Sequence, residues 1–176
     1  MKNSELSKIS NSQNISDIDL KILKDLEKKV SWLSAWMIHN ANNIRPSLDG
    51  IKVGGHQASS ASIISIMVAL YFKILKSEDR VAVKPHAAPV FHSIQYLLGN
   101  QNQDKLENFR AFGGAQSYPS RTKDTDDVDY STGSVGLGGA ITIFGSLIQD
   151  YVTQHNFVSK DFKPGKMVAL LGDAEL

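Results

Sequence analysis

Met167-Val168-Ala169-Leu170-Leu171-Gly172-Asp173 is a run of five apolar residues without alternation that halts at a glycine and an aspartate. A strand wetted on one face alternates apolar with polar, whereas a continuous run suits a parallel strand covered on both faces. Pro164-Gly165 ahead of it reads as the turn that delivers it. The same grammar occurs earlier. Val81-Ala82-Val83 is a short apolar run leading to Pro85-His86-Ala87-Ala88-Pro89, and a helical pattern over residues 90–98 follows, closed by Gly99. Short strands separated by helices predict an α/β fold in three layers, a parallel sheet flanked by helices.

Outward from these strands the chain is mostly helical. Residues 1–15 are polar with no period to bury and read as a mobile lead, leaving 16–176 as the folded part. Ser16 is an N-cap, with Asp17 and Asp19 placed to favour the helix dipole. Ile18, Ile22, Leu26 and Val30, continued by Leu33 and Met37, form a stripe at helical spacing that should stop near Ile44-Arg45, ahead of Pro46. Ile63, Met67, Leu70 and Ile74 predict a helix that is greasy on most sides and therefore buried. Residues 100–132 are polar and turn-rich, and Gly133-Ser134-Val135-Gly136-Leu137-Gly138-Gly139 leads into Ile141, Phe144, Ile148 and Tyr151 at helical spacing.

Composition removes several function classes. The 176 residues carry no cysteine, which excludes a disulfide framework, a thiolate metal site and a cysteine nucleophile. Nineteen Lys and Arg against eighteen Asp and Glu leave a net charge of +1, no electrostatic reason to expect a nucleic-acid partner. The longest greasy stretch, residues 61–75, is interrupted by Ser62, Ser65 and Lys73 and is too short to span a bilayer. With no apolar core near the N-terminus to act as a signal peptide, a soluble cytoplasmic chain is the expectation.

Three polar residues share one geometry: His56 in a Gly-Gly-His turn before a helix, His86 just past a strand, and Asp173 just past another. In open parallel sheets, ligands bind beyond the carboxyl ends of the strands. The glycine-rich segment 133–139 adds backbone N–H groups at a helix N-terminus. Taken singly each feature has a plainer reading. A histidine in a turn ordinarily satisfies a local hydrogen bond, Gly-Asp after a strand is common turn chemistry, and His39, His92 and His155 read as structural. The glycine segment fails the dinucleotide fingerprint, since the sixth position counted from Gly136 is Ile141. The acidic run 124–129 fails the calcium-loop spacing, with Asp129 where glycine is required, and reads as a solvated loop. Ser59, Ser60 and Ser131 are not in a nucleophile-elbow context.

In this order the pieces are specific. Gly54-Gly55-His56-Gln57-Ala58-Ser59 resembles the first histidine motif of transketolase-type thiamine diphosphate enzymes, and the stretch ending at Lys84-Pro85-His86 resembles their second. Thr132-Gly133-Ser134-Val135-Gly136-Leu137-Gly138 is similar to the segment that lines the cofactor's aminopyrimidine, and Gly172-Asp173-Ala174-Glu175 to the start of the Gly-Asp-Gly motif that binds magnesium diphosphate. The Gly-Gly-His-Xaa-Ala-Ser form, with Phe109-Arg110 and Ser117-Tyr118-Pro119, is closest in flavour to the homodimeric pyruvate dehydrogenase first component.

The resemblance implies a thiamine diphosphate-binding fold and the cofactors thiamine diphosphate and Mg2+. It implies Asp173 as the metal ligand, Gly172, Ala174 and Glu175 around the diphosphate, and His86 at the diphosphate or the reacting centre. His56 would steady an oxyanion or move a proton, and Gly133, Ser134 and Val135 would cradle the pyrimidine. The reaction it implies is cleavage of a C–C bond next to a carbonyl, foremost oxidative decarboxylation of pyruvate or another 2-oxo acid. Ketol transfer between sugar phosphates is the alternative, and a non-catalytic partner that keeps only the fold is a second. Expected partners are a small 2-oxo acid or ketose phosphate, a second copy in a homodimer, and a multienzyme complex, with no nucleic acid or membrane. The chain stops three residues past Asp173. The resemblance therefore implies an N-terminal part of a longer enzyme, its sheet incomplete at the C-terminus, inactive alone and at best a weak cofactor binder.

Overall fold

The computed structural model describes residues 16–47, 49–133 and 135–175. The lead 1–15, Ser134 and Leu176 lie outside the described residues, as does the side chain of Ala174. Among the described residues six α-helices and two strands follow one another: α1 (Asp17–His39), α2 (Gln57–Ala61), α3 (Ile64–Ala69), β1 (Arg80–Ala82), α4 (Ala88–Leu97), α5 (Gln103–Glu107), α6 (Leu137–Gln154) and β2 (Met167–Ala169). Ser16 caps α1 as expected, its side chain accepting from the Asp19 N–H at 3.1 Å. Ile18 and Ile22 stand in solvent, however, and the buried residues of the helix, Val30, Ser34, Met37 and Ile38, begin only at Val30.

The strands pair in parallel, with Arg80 opposite Met167, Val81 opposite Val168 and Ala82 opposite Ala169. This confirms an α/β architecture around a small parallel sheet, two strands wide among the described residues. Strand alternation sorts the faces. Val81 and Val83 join Val90, Phe91 and Ile94 of α4 and Met67 of α3 in the main core. Ala82 points the other way, toward α6, where a Cβ on Gly138 would lie 3.5 Å from the Ala82 Cβ. Helices thus cover both faces, and Gly138 lets α6 sit close. The run beginning at Met167 is nevertheless only half-buried, because β2 has β1 on one edge and no strand on the other among the described residues.

The most buried helix is α4, where every residue from Ala88 to Gln95 is buried. The segment expected to be greasy on most sides divides: Met67, Val68 and Leu70 are in the core, while Ile66 and Ile74 are exposed. On α6, Gly138 and Thr142 face inward, and Phe144, Ile148 and Tyr151 of the anticipated stripe are exposed. Ile148 is 63% exposed, so Ile148→Gln is expected to change the unfolding free energy by less than about 0.5 kcal/mol in denaturant titration. No helix of the described residues is long and apolar enough to cross a membrane.

The acidic run is not a solvated loop. Asp126 is buried against His92, Asp124 accepts from the backbone N–H groups of Gln116 and Ser120, and Asp129 accepts from Val81 N–H at 2.8 Å. Carboxylates with several backbone donors in reach organise a loop from within, and spacing along the chain cannot reveal that.

Candidate active site

The site gathers at the carboxyl ends of the two strands. From β1 the chain runs through Lys84 to His86, and from β2 it runs through Gly172 to Asp173 and Glu175. Thr132 ties in the glycine segment by donating to the Val83 carbonyl at 2.9 Å. Gly136 has φ +76°, and a Cβ there would lie 2.7 Å from the Glu175 carbonyl oxygen. Gly136 and the Glu175 backbone therefore approach this closely only because residue 136 is glycine.

His56 arrives from the other side. After α1 the backbone opens into a wider turn over Asn40–Ile44, and the Asn42 amide grips Gly54 in both directions, accepting from its N–H at 2.9 Å and donating to its carbonyl at 2.8 Å. Gly55 packs on Ile38, where a Cβ would approach to 2.7 Å. This leaves His56 in the left-handed region, φ 55° and ψ 53°, just ahead of α2. Such a conformation in a non-glycine residue is held by its surroundings and is common at functional sites.

The two histidines meet. Their rings stack at a centroid distance of 4.1 Å and an interplanar angle of 28°. Ser60 of α2 donates to the His86 carbonyl at 3.2 Å, and the Tyr118 ring lies 5.9 Å from that of His86. Burial, then the positive charge of His86 and of Arg110, holds the His56 pKa below its ordinary value. At neutral pH His56 is accordingly a neutral imidazole able to accept a proton. A cavity of about 450 Å³ opens beside it, lined by Val53, His56, Arg110, Gln116, Ser117 and Tyr118.

Asp173 is exposed at the end of β2. The Gly172 N–H is already engaged, donating to Glu175 Oε2 at 2.7 Å, while Glu175 Oε1 is buried without a partner. Val135 is 87% exposed, with its side chain turned to solvent. Of the anticipated residues the fold brings together His56 with His86, and the Gly133 segment with Gly172, Asp173 and Glu175. His39 and His155 stand apart, at the ends of α1 and α6.

The sequence pattern missed Lys84, Arg110 and Gln116 as site residues. Lys84 was legible in principle, standing two residues before His86 on the chain leaving β1. Arg110 was not, because it enters by a φ of +60° that no local motif announces. It donates to the Val53 carbonyl and so also braces the histidine turn. Among the described residues no group of three or more His, Asp or Glu is placed to hold a metal ion.

No protein-family model matches the chain. In sequence it is similar to the pyruvate dehydrogenase E1 component of Cupriavidus necator, 31% identical over an alignment of 165 positions that covers 86% of this chain and 18% of that protein. The pyruvate dehydrogenase E1 component of Haemophilus influenzae is 28% identical over 167 residues, 90% of this chain and 18% of that protein. The 1-deoxy-D-xylulose-5-phosphate synthase of Clostridium perfringens is 29% identical over 174 residues, 97% of this chain and 23% of that protein. The chain thus spans about a fifth of the length of the curated relatives it matches. With its histidine, glycine and Gly-Asp segments converging on one end of a parallel sheet, the chain has as homologues, over most of its own length, thiamine diphosphate-dependent enzymes of the transketolase type.

Proposed function

We propose that residues 16–176 form part of the diphosphate-binding domain of an enzyme that cleaves a C–C bond next to a carbonyl, acting on pyruvate or another 2-oxo acid. The stack of His56 on His86, on the same sheet end as Gly172 and Asp173, carries this reading. The donor set fits the cofactor: a hard carboxylate oxygen for magnesium at Asp173, glycine at 172 and 136 for close approach, and imidazoles beside a polar cavity. When bound, the cofactor supplies a carbanion-forming carbon and an electron sink.

This chain's own residues bind, orient and handle protons. Asp173 holds magnesium. Gly133, Ser134 and Val135 cradle the pyrimidine, and the exposed face of Val135 is available to meet it. The Gly172, Ala174 and Glu175 segment borders the diphosphate. His56, its pKa lowered first by burial and further by Arg110, accepts a proton at an imidazole nitrogen or steadies an oxyanion. His86, its backbone anchored by Ser60, would contact the diphosphate or the reacting centre. In the full-length enzyme the partner subunit of a homodimer would contribute to the site.

Calorimetric titration with thiamine diphosphate, with and without magnesium, tests this. Binding is expected to require magnesium and to be lost in Asp173→Ala, because removing the carboxylate removes the ligand. Absence of binding under every condition would favour a partner that keeps the fold without the chemistry.

A further inference from the structure

One cation at the sheet end, Lys84, lies within the second histidine motif without a role assigned to it. Lys84 leaves β1 with extended backbone, φ −52° and ψ 116°, and its carbonyl accepts from Ala87 N–H at 2.9 Å, which fixes the start of the stem. The stem then lies across to β2. A Cβ placed on Gly172 would be 3.3 Å from Lys84 Cε and 3.6 Å from Lys84 Nζ. The ammonium group thus sits close over the glycine that precedes Asp173, in contact distance of where a side chain there would begin.

A structural counter-ion would look different. Glu175 borders that space, with Oε2 3.4 Å from the same Cβ position. Yet Oε2 accepts from the Gly172 N–H, Oε1 is buried without a hydrogen-bond partner, and no ion pair among the described residues includes Lys84. The cation and the orphaned oxygen border one space without satisfying each other. A diphosphate carries more negative charge than one magnesium ion neutralises, so a further cation at this end of the sheet has a task. An ammonium on a flexible stem meets phosphate as a point charge with three donors.

We infer that Lys84 is a diphosphate-binding residue of this site, its ammonium group donating to the phosphate oxygens held at Gly172. This rests on the cofactor reading above and adds a residue to it. Isothermal titration of the full 176-residue chain with thiamine diphosphate plus magnesium, and with inorganic pyrophosphate plus magnesium, tests it. Lys84→Met is expected to weaken both by about ten- to hundredfold, the range for a hydrogen bond to a charged group. Lys84→Arg, which keeps charge and donors, should recover most of that loss, and the thermal midpoint of Lys84→Met should match wild type. Unchanged affinity in Lys84→Met overturns the inference while leaving the cofactor reading intact. A lowered midpoint with unchanged affinity also overturns it, and makes Lys84 a counter-ion of Glu175. Wild-type chain that binds neither ligand overturns the cofactor reading, and the Lys84 assignment with it.

Discussion

Asp126→Ala is expected to lower the unfolding free energy by about 3–5 kcal/mol, the range for removing one partner of a buried ion pair. Both side chains of the His92–Asp126 pair are wholly inaccessible to solvent. His92 Nε2 lies 2.8 Å from the Gln116 carbonyl oxygen, which can only accept, so that nitrogen carries a proton. His92 Nδ1 meets Asp126 Oδ2 in a short contact, and the pair shares one further proton there. Burial pulls the His92 pKa down, but the hydrogen bond and charge of Asp126, with the charge of Asp124, outweigh it and hold the group above its ordinary value. Burial likewise pushes Asp126 up, restrained by His92. The geometry favours the proton on the imidazole, because both ring nitrogens face acceptors.

The sign of the pH dependence follows. A histidine raised in the folded state contributes stability that is fully present below its unfolded pKa of 6.5 and is lost as pH climbs through the folded value. Denaturant unfolding from about pH 5 to about pH 9 should therefore show wild type losing stability on the alkaline side. Asp126→Asn keeps an acceptor but no charge, so it should be weaker than wild type and flatter across that limb. Parallel curves for the two proteins would mean that the pair holds no extra proton. The consequence reaches the site, because this pair fastens the segment carrying Gln116 to α4, and Gln116 lines the cavity beside His56.

Gly165→Ala is the second large effect, with an expected loss of at least about 3 kcal/mol. A Cβ at Gly165 would lie 1.8 Å from the Glu78 carbonyl oxygen and 2.8 Å from the Asp79 nitrogen. These are backbone atoms, so no side chain can swing aside. The approach is held from both directions. Asp79 accepts from Lys166 N–H at 2.7 Å and Lys76 N–H at 3.0 Å, and the Gln149 amide accepts from Gly165 N–H and donates to its carbonyl. Together they set the register in which Arg80 faces Met167. Forcing the strands apart would misplace Lys84 and His86 relative to Gly172 and Asp173. Thermal unfolding reads the stability loss, and loss of amide-exchange protection at Arg80 and Leu170 reads the register, since both N–H groups donate across the pair to Lys166 and Ala82 carbonyls. A variant as stable as wild type, with those amides protected, would mean that the pairing tolerates a wider gap.

Much of the architecture was legible because its signals are local. The cap at Ser16, the stop at Gly99 and the unalternated run at Met167 each depend on a few neighbouring residues, and each element appears in the fold. Where reading failed, the missing information lay far along the chain. Ile148 and Tyr151 have helical spacing, but spacing says that a face exists and not that something covers it. The acidic run looked solvated because charge is ordinarily exposed, and only α4 and β1 supply the partners that draw Asp126 and Asp129 inward.

By itself the sequence determined the α/β class, the parallel pairing expected of its apolar runs, and the residue types at the strand ends: two histidines, a glycine segment and a Gly-Asp pair. These follow from periodicity, turn chemistry and the order of short motifs, all written within a few residues of where they act. Only the tertiary structure decided that His56 stacks on His86, that Arg110 braces the histidine turn, that Asp126 is locked to His92, and that Lys84 lies over Gly172. Each of these joins residues far apart in the chain through close approaches that packing alone sets.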